Sequence, residues 1–219
     1  IDYSNNTYIL DSLNINQSYT FFQQDTLSNN FFNTFKLNKH TTEAVEDSTN
    51  TENKHDIYYA INHIDMTQGV LDYTDNLTGQ HFNYHLNDIK IDTDSIKSNS
   101  DWVTIYSDMI LNNRGTLNAK IGINPTDFNN AELDIAVEKF LLSDINIYTN
   151  HYIGHDILEG DFYYHSTSKI TNGDLKSENK LLVKNAKIST QLKSDKTIIK
   201  SSIAFWSSLF IRESIFSII

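Results

Sequence analysis

Apolar and polar residues alternate with a period of two over much of the chain beyond residue 57, the mark of strands that bury one face. Val103, Ile105, Met109 and Leu111 form one such set, interrupted by Ser107. Leu117, Ala119, Ile121 and Ile123 form a second, and Leu133, Ile135 and Val137 a third. These residues are expected to line the apolar face of a sheet. Further strands are predicted at 57–61, 70–73, 82–86, 145–148, 162–166, 175–183 and 186–192. Only Ala131 to Leu142 and the C-terminal tail have helical potential, and the first alternates too well to favour a helix.

Turn residues separate these runs where hairpins need them: Thr78-Gly79, Asn112 to Gly115, Asn124-Pro125-Thr126-Asp127 and Asn172-Gly173-Asp174. Connections this short join antiparallel neighbours, because a parallel crossover needs a dozen or more residues. The expected fold is therefore all-β, an antiparallel meander forming a long curled sheet or groove with few helices. A short internal echo fits a repeating β design, since Met66 to Tyr73 and Ile157 to Tyr164 carry glycine and tyrosine in step. Glycine at that position suits a turn or a bulge.

Polarity divides the chain into segments. Residues 39–56 hold only Ala44 and Val45 as apolar side chains and read as a polar linker or loop. Residues 1–38 carry aromatic clusters at Tyr8, Tyr19 to Phe22 and Phe31-Phe32, expected as short irregular strands. Residues 57–197 form the β-groove domain, and 198–219 is an atypical apolar tail expected to lie outside the native fold. The uninterrupted apolar part of that tail, Ser201 to Ile211, is too short for a membrane span of about 20 residues. The chain opens on Ile1 with no signal-peptide pattern, so its start is expected upstream.

Charge and composition then exclude several function classes. A net charge of -11 repels a nucleic-acid backbone, and the absence of cysteine removes disulfides, thiolate catalysis and Cys-ligated metals. His81 and His85 have the spacing of helical zinc ligands, but on a strand they stand about 14 Å apart and face solvent. His151 and His155 bracket Gly154 in what reads as a surface loop. Asp92 to Ser95 begins like a calcium loop yet lacks its glycine and glutamate, and reads as a strand-ending turn. There is no phosphate loop, no nucleophile elbow and no paired carboxylate motif, so no catalytic residue, metal or cofactor is predicted.

The run Asn112-x-x-Gly115-x-Leu117-x-Ala119-x-Ile121-x-Ile123-x-Pro125 resembles the AsmA-like family of Gram-negative envelope proteins. So do Leu141 to Ile145, Tyr152 to Phe162, and Gly173-Asp174-Leu175-x-x-Glu178-Asn179-x-Leu181, which are similar to the branch of that family with a large domain of unknown function. The resemblance covers about residues 57–192 and departs after Lys193. It implies a long curled antiparallel sheet with an apolar trough, held in the periplasm by an upstream inner-membrane anchor. It also implies a non-enzymatic part in outer-membrane biogenesis, sheltering or transferring phospholipid or another acyl-chain lipid. The alternative is an extracellular β-sandwich adhesion or carbohydrate-binding module with tyrosines as ligand platforms; a hydrolase on a β scaffold ranks third.

Overall fold

A computed structural model describes residue 2, residues 6–35 and 57–189, and the strand 216–218. The polar linker 39–56 and nearly all of the apolar tail lie outside the described residues. Long antiparallel hairpins and a helical connection organise the rest. The central strands are β4 (Tyr58–Ile61), β5 (Ile64–Asp75), β6 (Phe82–Thr93), β7 (Ile96–Lys97), β8 (Val103–Leu111), β9 (Gly115–Ile123), β10 (Ala131–Leu141), β11 (Ile157–Thr171) and β12 (Asp174–Ile188). Strands β5-β6-β8-β9-β10-β11-β12 pair antiparallel in chain order as one open meander. The final strand, β13 (Phe216–Ile218), pairs antiparallel with β12. The fold is thus all-β, as the alternation predicts.

The N-terminal strands depart from that pattern. Strands β1 (Thr7–Leu10), β2 (Leu13–Asn16) and β3 (Tyr19–Gln24) run parallel to β4 and β5. One register offset of 51 residues holds throughout, from Thr7 opposite Tyr58 to Gln24 opposite Asp75. The bends are bridged by hydrogen bonds from the Asn62 amide to the Leu10 carbonyl and from the Leu13 amide to the His63 carbonyl. Residues 7–24 therefore form one edge ribbon with breaks, and the small β1-β4-β7 sheet continues the β2-β5-β6 edge beyond a bend. Parallel pairing is possible because residues 25–57 supply the long crossover it requires.

Two segments expected as strands are helical. Phe31-Phe32 lies in α1 (Asn30–Phe35), where Asn29 caps the first turn by accepting the Phe32 amide at 2.9 Å on its side-chain oxygen. Residues 145–148 fall in a 3₁₀ turn (Leu142–Ile145) followed by α2 (Asn146–Tyr152). Gly154, at φ 84°, ends that helix, and its amide donates to the Thr149 carbonyl at 2.9 Å.

Bulges interrupt the long strands. Register shifts occur in β5 between Met66 and Gly69, in β6 between Asn87 and Lys90, in β10 between Val137 and Phe140, and in β11 between Ile157 and Asp161. Gln68, Asp88, Lys139 and Gly160 take positive φ at these places. Each bulge bends its strand and increases the local twist. Both echo glycines, Gly69 and Gly160, sit at bulges inside strands. Gly115 is needed beside the β10 bulge, since an added Cβ would stand 3.0 Å from the Glu138 carbonyl oxygen.

Candidate functional site: the dry face of the meander

Cross-strand register brings the three sequence-predicted sets onto one face. Val103 stands opposite Ile123, Ile105 opposite Ile121, and Met109 opposite Leu117. Ile121 in turn faces Leu133, Ala119 faces Ile135, and Leu117 faces Val137. Leu111 closes the row opposite Gly115, and Ser107 lies on the same face opposite Ala119. The intervening residues Tyr106, Asp108, Asn118, Lys120 and Asp134 are exposed on the other face. The same alternation extends the apolar face through Ile91 and Ile89 of β6 to Met66 and Leu71 of β5.

Among the described residues this face is incompletely covered. Val103 and Leu111 are buried, but Ile105, Met109, Leu117, Ala119, Ile121, Ile123, Leu133, Ile135 and Val137 are only half-buried. Inward residues of central strands in a two-layer domain are shielded by the opposing layer. Among the described residues, Ala60, Ile89, Val103, Leu111, Leu142 and Ile157 make up the fully buried apolar set. Half-buried apolar positions in register across β8, β9 and β10 are what a single layer produces.

The other face is wet. Lys169 pairs with Glu132 at 2.6 Å, Lys187 with Glu159 at 2.7 Å, and Arg114 with Asp161. Towards β11 and β12 the dry face also changes character: Ser168 and Ser177 hydroxyls meet at 2.7 Å, and the Tyr164 hydroxyl donates to Asn179 at 2.7 Å. The apolar surface is thus bounded on that side by hydroxyl and amide groups.

At the end near the β5–β6 and β8–β9 turns, aromatic rings cross the dry face in a continuous row. Phe22, Tyr73, Phe82, Tyr84, Phe140, Phe162 and Tyr164 follow one another with centroids 5.9 to 6.1 Å apart. Such spacing is within the range of favourable ring contacts. Helix α2 closes this end, with Tyr148 5.0 Å from the Phe82 ring.

A buried carboxylate anchors the closure. Asp75 is 3% exposed and accepts hydrogen bonds from the Tyr148 hydroxyl at 2.7 Å, the Tyr73 hydroxyl at 2.8 Å and the Leu77 amide at 2.5 Å. Burial alone would raise its pKa, but these donors outweigh it and hold the carboxyl below its ordinary value. Burial first, then the Asp75 contact, pushes Tyr73 up to about 12 and Tyr148 also upward. Neither α2 nor Asp75 was predicted as part of the site. The signal was the apolar spacing Leu141, Ile145, Tyr148, Tyr152 ahead of Gly154, a helical period over a short span.

Three of the candidate histidines make hydrogen bonds to nearby polar groups. His81 precedes β6 and bonds Asn76 at 2.7 Å, His85 bonds Asp72 at 2.6 Å, and His151 lies in the last turn of α2. His155 is buried rather than in a surface loop, with its ring nitrogen 3.0 Å from the Ser189 carbonyl. His63, Asp65 and Asp92 place a ring nitrogen and two carboxylate oxygens within 4.8 Å on the wet side, a grouping of residues far apart in sequence. No helix among the described residues is long and apolar enough to cross a membrane.

No family model, curated protein or solved structure matches the chain.

Proposed function

We propose that this chain is a non-enzymatic envelope protein that shelters the acyl chains of phospholipid on the dry face of its meander. The observation that carries the reading is the in-register apolar face of β8, β9 and β10, left half-buried among the described residues. A continuous, incompletely covered apolar face calls for an apolar partner. The dimensions suit acyl chains: the nine residues of β8 span about 30 Å, and one leaflet of a hydrocarbon core is about 15 Å deep. The aromatic row and α2 give the face one closed end, so a tail entering along the strands has a defined stop.

The resemblance to the AsmA-like family supports the same reading. In it the protein is periplasmic, held at the inner membrane by a segment outside this chain, and contributes to outer-membrane biogenesis through lipid transfer. No catalytic step is assigned.

The test is lipid extracted per mole of purified protein, read beside the melting temperature. Ile121→Asp puts a carboxylate on the dry face, where it is costly unless paired, and should remove most of the bound lipid. Lys120→Asp sits on the wet face and should leave lipid content unchanged. It places like charges opposite each other at Asp134, at a cost of under about 1 kcal/mol. A lipid-free parent protein together with an Ile121→Asp variant that unfolds would reject the proposal in favour of a dry protein core.

A further inference from the structure

We propose that Tyr19, Phe21, Asp72, Asn83 and His85 form a binding site for a neutral saccharide on the wet face of the sheet. The site lies on the opposite side from the apolar face and does not depend on the lipid reading. Register places Phe21 opposite Asp72, Asp72 opposite His85, and Thr74 opposite Asn83, so the group spans β3, β5 and β6. These side chains line a shallow depression of about 390 Å³. That volume falls within the range of small-ligand sites.

Two large rings are out of place on a polar surface. Tyr19 is 64% and Phe21 43% exposed, while their strand neighbours Thr20 and Phe22 turn to the other side. Exposed rings beside fixed polar groups provide a stacking platform for the C–H face of a sugar ring. The platform is held in place, because the Tyr19 hydroxyl donates to Asp72 Oδ2 at 2.8 Å.

The polar groups are oriented with free valences. Asp72 Oδ1 is 2.6 Å from His85 Nδ1, and bonds from His85 first and Tyr19 second hold the carboxyl below its usual range. Nδ1 donates to the ionised carboxylate, which leaves Nε2 as the ring's second polar atom. The Asn83 side-chain oxygen accepts from the Thr74 hydroxyl at 2.9 Å, which directs its amide as a donor. Among the described residues neither His85 Nε2 nor the Asn83 amide nitrogen has a partner. Two polar groups side by side match neighbouring hydroxyls of one sugar, each of which can both give and take a hydrogen bond. The ionised Asp72 and the net charge of -11 disfavour an anionic ligand.

The experiment is calorimetric titration of the full chain with maltotriose, cellotriose and triacetylchitotriose, each to about 10 mM. At least one should bind. Phe21→Ala should weaken that binding about tenfold through loss of stacking. Asn83→Ala should weaken it several-fold, and Tyr106→Ala, on the same face but remote from the depression, should not change it. If Phe21→Ala does not fold, Asn83→Ala decides. Absence of binding by all three sugars, or undiminished binding by folded Phe21→Ala and Asn83→Ala variants, overturns the site. Lipid content of these variants should match the parent, so failure here is distinguishable from failure of the lipid reading.

Discussion

A carboxylate that is 3% exposed is tolerated only when its oxygens are paired, and Asp75 has three donors. Its folded pKa lies below the unfolded value of about 3.8, so its contribution to stability is complete above about pH 5. That contribution is lost as pH falls through the folded pKa. Asp75→Asn should therefore cost about 2 kcal/mol at neutral pH, lower Tm by roughly 4–8 °C, and flatten the acid limb of a stability profile. An unchanged acid limb would show that Asp75 is not the tie. Gly115→Ala should cost about 1–2 kcal/mol, because the new methyl meets the backbone of the β10 bulge; chemical denaturation measures it. At this scale the apolar face was legible and its anchor was not. Val103 through Val137 announce a face by alternation, whereas Asp75 meets Tyr148 only through a fold that brings together residues 73 apart.

Alternation also identified β8, β9 and β10 as elements, and the turn residues Asn112 to Gly115 and Asn172-Gly173 fall in their expected hairpins. Long strands were read too short where a bulge breaks the period, as in β5 and β6, since one extra residue exchanges the faces. The parallel edge was missed because β1 to β3 pair through a register that no local pattern encodes. Its signal was the length of the polar segment after Phe35, which is enough for a crossover. The offset of 51 can be checked directly, as the chain has no native cysteine. Asn14→Cys with Asp65→Cys, and separately Tyr19→Cys with Val70→Cys, should each form a disulfide on mild oxidation. An antiparallel edge could satisfy at most one of the two pairs, and mass spectrometry of the oxidised proteins decides.

At the scale of the molecule, the described residues form one dominant layer with a dry side and a wet side, and the function proposed for it depends on what covers the dry side. The sequence established the two-sidedness, because alternation states which residues share a face. It could not state whether that face meets a second layer, since a sandwich and an open sheet share one binary pattern. Half-burial of the residues from Ile105 to Val137 carries that distinction. The most direct measurement is photo-crosslinking along β9, with benzoylphenylalanine placed singly from Thr116 to Ile123 in protein loaded with radiolabelled phospholipid. Crosslinks to lipid should follow the pleat, strong at 117, 119, 121 and 123 and absent at 116, 118 and 120. Crosslinks of equal strength on both faces, or none at any position, would contradict a lipid-bearing dry face.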